Sequence, residues 1–183
     1  KFRISYETEK VARILHDMFM KGAINRSGAE PFKYSNAMLA IGMFEHQLGD
    51  LTVEMVELMH QYFDEGFDDE FFRSSLPQLR TSPHMRAIVP EYIIATYDDM
   101  RAIIKKTNKS IQVANCVCKE GEALLGKPCK QTKDIEVCLM FDAKSYLDRG
   151  KARTITKEEC MEIINRAERE GLVLQPGNSL QPF

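Results

Sequence analysis

Four of the chain's five cysteines, Cys116, Cys118, Cys129 and Cys138, fall in one short window with the spacing C-x-C-x10-C-x8-C. Soft thiolates at this density suit zinc or an iron–sulfur cluster and disfavour hard cations. Structural zinc usually takes a tight C-x2–4-C knuckle from each half of its site, which this spacing lacks. A cubane cluster spreads its ligands over several irons and tolerates irregular spacing. Four bound thiolates leave it negative, and Lys119, Lys127, Lys130 and Lys133 lie close enough in sequence to offset that charge. The competing reading is a set of buried free thiols, since cysteine packs as a small hydrophobe. Cys160 lies apart from the window and reads as a core or surface thiol, not a ligand.

Several elements must position these sulfurs. "SIQVANCVC" alternates as a strand does, and residues two apart on a strand point the same way, so Cys116 and Cys118 are expected to aim at one site. Cys129 follows Pro128 in a turn, and Cys138 opens the next apolar run. From Lys119 to Gln175 the chain reads as short helices. One start is well marked, with Thr156 and Glu159 as a capping box, and that helix ends at Gly171 before a short strand in "GLVLQP".

Upstream, "ETEKVARILHDMFMKGAI" carries apolar residues at helical spacing and a C-cap at Gly22. "AINRSGAEPFKYS" follows as a ribbon turning at Ser27-Gly28, a helix-then-wing order that fits half of a winged helix or an ordinary helical hairpin. Residues 32–65 read as helical, split at Gly49-Asp50, with Thr52 capping the second helix. Their Met and Phe residues read as a core stripe rather than a partner groove, and His46 and His60 as surface or core-edge residues. Pro77, Pro83 and Pro90 break the pattern around a strand candidate, "MRAIVP", and helix resumes from Tyr92 to Lys105.

The chain has 183 residues, 44% of them apolar, enough for one domain or two small ones with a core. A net charge of -2 gives no whole-chain electrostatic case for nucleic acid or membrane. No apolar run approaches the roughly 20 residues of a membrane span, and no signal peptide is recognisable. The start at Lys1 and the end at Phe183 read as those of a piece of something longer. An odd cysteine count gathered in one window argues against a disulfide framework and for reduced thiols, hence a cytoplasmic location. No nucleotide-binding glycine loop, H-E-x-x-H or Ser/His/Asp set is present, and "GKPCK" lacks the glycine spacing of a phosphate loop. The chain is therefore not expected to be an enzyme.

Four segments carry a resemblance. "FMKGAINR" and "MLAIGMFEHQLGDLT" are weak alone; "CVCKEGEALLGKPCKQTKDIEVCLMF" and "ARTITKEECMEIINRAEREGLVLQPGN" are specific in combination. Together they resemble 4Fe-4S-binding, ferredoxin-type proteins of anaerobic bacteria and archaea with an N-terminal winged-helix region. The resemblance covers nearly the whole chain. It implies a longer parent chain, with the rest of the winged helix before Lys1 and a cysteine-rich ferredoxin module after Phe183. Lys119 stands where the family usually has Arg, and Cys160 where it usually has Ala.

The expected fold is mainly α with a few short strands (α+β). It divides into a partial winged-helix-like segment (1–34), a helical region (35–110) and a cysteine-rich cluster-binding region (111–183). The expected function is electron transfer or redox sensing through an iron–sulfur cluster on Cys116, Cys118, Cys129 and Cys138. The 4Fe–4S type is favoured, with zinc as the alternative metal. Expected partners are a redox protein and, on weaker grounds, nucleic acid; no membrane partner is expected. The alternatives are a metal-switched winged-helix DNA-binding regulator and a zinc-stabilised interaction module. For the regulator the first 30 residues offer Lys1, Arg3, Lys10, Arg13, Lys21 and Arg26, diluted by Glu7, Glu9, Asp17 and Glu30.

Overall fold

The computed structural model describes residues 7–73, 79–82 and 99–177, with the main chain alone at Ile41 and Glu70. The strand candidate "MRAIVP" and residues 92–98, expected to begin a helix, lie outside the described residues. The described chain is mixed α and β with two small antiparallel sheets, which agrees with an α+β class. Among the described residues no helix is long and apolar enough to cross a membrane.

Helix α1 (Thr8–Met20) ends as its sequence suggests. Gly22, at φ +80°, donates its N–H to Phe19 O, and Ala23 donates to Met18 O, which satisfies two terminal carbonyls. Only glycine fits here for a second reason: a Cβ on Gly22 would stand 2.6 Å from the Cβ of His46. Strands β1 (Ile24–Ser27) and β2 (Lys33–Asn36) then pair as an antiparallel ribbon.

The helix expected from residue 32 is corrected at its start, because 33–36 belong to that ribbon. The chain continues through a wide π-type turn (Leu39–Met43) and a tight turn (Glu45–Gln47) to helix α2 (Val53–Tyr62). Thr52 caps α2 by accepting the Met55 N–H at 3.2 Å. The Met and Phe stripe is only partly core. Val56 and Met59 are buried, whereas Met38, Leu58 and Tyr62 are exposed. Beyond α2 the helix widens at Phe63–Phe67 around Gly66 and continues as α3 (Asp68–Phe72).

The second sheet organises the rest. Helix α4 (Met100–Lys106) is capped by Asp99 and leads to strand β3 (Ile111–Asn115), which is central. Strands β4 (Glu136–Phe141) and β5 (Arg153–Ile155) flank it, both antiparallel. Reading 119–175 as helices alone is thereby corrected. "EVCLMF" and "RTI" are strands because β3 offers both of its edges, a pairing between distant residues that no local pattern reports. Helices α5 (Val117–Leu124) and α6 (Lys144–Asp148) bracket β4 in sequence, and α7 (Lys157–Arg169) closes the fold. Thr156 caps α7 through the Glu159 N–H at 3.1 Å, while the Glu159 carboxylate turns instead to Arg153 at 2.6 Å. "GLVLQP" is reduced to one isolated bridge, Leu174 with Ser82, and a second bridge, Gly177 with Leu79, follows just beyond it.

Alternation along β3 divides the core in two. Ile111 and Val113 face α7 and α4, joining Ile104, Ile155, Cys160, Ile163 and Ile164 in a buried cluster. Gln112 and Ala114 are buried on the other side, where Ala114 meets Leu48, Val117 and the partly buried Phe44, Met140 and Tyr146. Gln112 keeps its amide satisfied there, donating to Ser110 Oγ at 2.7 Å and accepting from Ala143 N at 2.8 Å.

Arg149, just past α6, ties the N-terminal unit to this second face. It is buried, donates to Phe19 O at 2.7 Å and Ile24 O at 3.0 Å, and lies 4.0 Å over the Phe19 ring. Arg26 adds a 2.6 Å ion pair to Asp148.

Candidate metal centre

The four window cysteines come from three kinds of element. β3 does not run on through them, so delivery of Cys116 and Cys118 by one strand is corrected. The strand ends at Asn115; Cys116 is the N-cap of α5 and Cys118 lies in its first turn. Two local facts explain the change. The Cys116 N–H is claimed by Ile135 O at 2.7 Å, outside the ladder, and β4 bulges where Ala114 pairs with Cys138 but Asn115 pairs with Glu136. "KEGEAL" then supplies helix formers, with Gly121 turned toward α2, where a Cβ would stand 3.3 Å from Val56.

The two sulfurs nevertheless share one site. The Cys118 S–H donates to Cys116, and the backbone N–H groups of Lys119 and Cys118 also point at the Cys116 sulfur. These interactions, the Cys118 thiol's first, lower the Cys116 pKa below the ordinary thiol value. Cys118 is driven the other way, because it keeps the shared proton, is packed against protein and feels the charge of Cys116.

Cys138 pairs with Ala114 and so faces the second side of the sheet. Protein packed behind it, then the charges of Cys116 and Glu45, push its thiol up to about 11. Cys118 feels the charge of Cys138 in turn. Cys118 and Cys138 both keep an accessible edge.

Cys129 stands in the loop after α5 and is joined to the site through Lys119, whose Nζ is 2.8 Å from its sulfur. That ammonium, with the N–H groups of Thr132 and Gln131, lowers the Cys129 pKa to about 7. Cys160 is elsewhere, fully buried in the α7 core, and burial alone pushes its thiol up to about 11.

Sequence reasoning missed three neighbours. Glu45 on the tight turn after β2 is held by the Gly42 N–H at 2.5 Å, its carboxyl raised by burial, and its charge reaches both Cys118 and Cys138. Tyr146 of α6 lies within the influence of Glu45 and Cys138, and burial raises its phenol. His46, expected at the surface or core edge, is buried against the Tyr146 ring, with centroids 5.0 Å apart. Its Nδ1 lies 3.2 Å from Gly22 O; a carbonyl can only accept, so the proton is on Nδ1. The folding that gathers these residues spans more than a hundred positions, and no local motif announces it. His60 is exposed as expected and meets Glu122 at 3.1 Å.

The donor set suits a thiolate-bound group. Cys116, Cys118 and Cys138 resist ionising together because each new thiolate repels the next, a repulsion that bound cationic metal relieves. A cavity of about 370 Å³ is lined by Cys116, Lys119 and Cys138 together with Gln175 and apolar residues such as Leu139, Ile163 and Leu174. Among the described residues no three His, Cys, Asp or Glu side chains are drawn together as the ligands of a single metal ion. No family model, curated protein or solved structure matches the chain.

Proposed function

We propose that the chain holds an iron–sulfur cluster on Cys116, Cys118, Cys129 and Cys138, and serves in electron transfer or redox sensing. The observation that carries this reading is that β4 sets Cys138 beside Ala114, one residue before the strand gives way to Cys116 and Cys118 at the start of α5, with Cys129 tethered to the same helix by Lys119. Such a cluster would take up and release single electrons.

The chain's own residues have separate tasks. Backbone N–H groups at the start of α5 face Cys116, and those of Gln131 and Thr132 face Cys129, so both sulfurs would be favoured as thiolates. Lys119 contributes positive charge between the two arms of the site. Spacing of the donors across three elements suits a cluster, whose ligands are distributed over several irons, better than one tetrahedral zinc.

The helix-and-ribbon of α1, β1 and β2 supports a winged-helix reading of the N-terminal segment. Support for DNA binding by it is weaker. Arg26, one of its basic residues, is committed to Asp148 and to the faces of Phe19 and Phe32.

Anaerobic purification followed by iron, sulfide and zinc analysis tests the proposal. Brown protein with several irons per chain is expected. Cys129→Ser and Cys138→Ser should each lower the iron content sharply, whereas Cys160→Ser should not. Colourless protein with one zinc and no iron after attempted cluster reconstitution would sink it.

A further inference from the structure

The contact between Lys119 and Cys129 has a chemistry of its own. Their separation of 2.8 Å is ordinary for an N–H···O bond and short for the larger sulfur atom. The two residues are ten positions apart, and their elements are fixed independently. Lys119 rides on α5, which packs on α2 at Gly121. The chain leaves α5 through Gly126, at φ +73°, so that Pro128 and Cys129 come back alongside the helix. The N–H groups of Gln131 and Thr132 also bond the sulfur. Cys129 is only half-buried, so a small oxidant can reach it.

We propose that Lys119 and Cys129 form a reversible covalent sulfenamide link when the cluster-free protein meets peroxide. In the first step peroxide transfers one oxygen to sulfur, giving the Cys129 sulfenic acid and water. Sulfenic acids condense with nearby nitrogen or thiol groups. The Lys119 nitrogen is such a partner, 2.8 Å from the Cys129 sulfur. In the second step the N–S bond forms as the S–O bond breaks; the hydroxyl leaves as water and the ammonium gives up its remaining excess proton to solvent. Sulfur is oxidised, peroxide is reduced, and a thiol reductant reverses the link by attacking sulfur and freeing the amine.

The link goes beyond the proposed cluster and does not depend on it. One consequence does rest on the cluster reading: a linked Cys129 has no thiolate to give iron, so link and cluster exclude each other. The pair would then act as a latch that keeps an oxidised, empty site from further damage.

The test uses cluster-free chain treated with stoichiometric hydrogen peroxide, digested with trypsin and weighed. The expected product is the single uncleaved peptide 110–130, two hydrogens lighter than its reduced form, with cleavage after Lys119 lost and restored by dithiothreitol. Lys119→Arg keeps the positive charge but offers no primary amine. It should form no link and leave a Cys129 sulfenic acid that dimedone traps. A disulfide from Cys129 to Cys116, Cys118 or Cys138 with Lys119 free, or a Cys129 sulfinic acid with Lys119 free, would overturn the proposal. So would the same mass loss in Lys119→Arg. Because the assay contains no iron, a link in protein that never takes up iron would sink the cluster reading and leave this one standing.

Discussion

The two faces of β3 are built from the same five-residue strand and serve opposite ends. Toward α7 the strand presents Ile111 and Val113 to a closed layer of isoleucines, and even its thiol, Cys160, is fully enclosed. Toward the cysteine window it presents Gln112 and Ala114, a buried amide and a small side chain, to a thinner layer bordered by Glu45, Tyr146, His46 and Cys138. The comparison shows what makes a thiol available for chemistry. Burial among apolar neighbours disfavours the charge of Cys160, whereas at Cys116 a neighbouring thiol and the N–H groups of a helix start stabilise it. One face holds the protein together; the other holds ionisable groups against it.

If that division is right, truncation should cost far more on the first face. Ile164→Ala removes a fully enclosed side chain at the centre of the α7 layer and should destabilise by about 2–5 kcal/mol. Met140→Ala on the second face removes a half-buried, adaptable side chain and should cost less than about 2 kcal/mol. Urea denaturation of the two variants measures the difference. Equal losses would mean that the second face is as tightly packed as the first.

The next effect tests what joins the N-terminal unit to the second face. Arg149→Met keeps much of the side chain's bulk but removes the guanidinium donor from the carbonyls of Ile24 and Phe19, leaving Phe19 O with the Gly22 N–H alone. Removing hydrogen bonds from a charged group to buried acceptors should cost about 2–3 kcal/mol. Amide exchange should speed up in β1 and at the end of α1, and much less in α7. Uniform acceleration across the chain would show instead that Arg149 supports the whole fold.

How much of this was legible depends on how far apart the partners lie. Thr52, Thr156, Gly22 and Gly171 declared their helix ends because capping is settled within a few residues. The alternation in "SIQVANCVC" located β3 but overran its end, because the bond from Cys116 N–H to Ile135 O is invisible to a local pattern. β5 is three residues long, too short for any period to register. The cysteine window was visible from composition. The placing of Glu45, Tyr146 and His46 beside it was not, nor was the contact between Lys119 and Cys129.

A smaller change returns to the first face. Thr156→Ala deletes the hydroxyl that accepts the Glu159 N–H at the start of α7, and should cost about 1 kcal/mol. Thr156→Ser keeps an acceptor and should recover most of it, as read from the melting temperatures of the three proteins. A Ser variant as unstable as the Ala variant would shift the credit from the cap to the threonine methyl group.

The last expected effect distinguishes the faces by pH and is the smallest. His46 is buried on the second face between Gly22 O, the Tyr146 ring and the charge of Arg149. Burial first, and then the positive charge of Arg149, lower its pKa below the ordinary 6.5; the bond to Gly22 O opposes them only in part. As pH falls through 6.5 the unfolded chain takes up this proton while the folded chain does not. The unfolded state then binds more protons, so stability must fall with pH across that window and level off once the folded imidazole is also protonated. Above the window both states are neutral at this position and His46 contributes no slope. The imidazole of His46→Gln is gone, but its amide can still donate to Gly22 O, so the loss of stability from neutral to mildly acidic pH should be shallower than in the parent chain. Melting temperatures across that range, taken for both proteins, give the two slopes. Parallel slopes would assign the acid sensitivity to other groups, such as the carboxylates paired with Arg153, and would remove His46 from the account of this face.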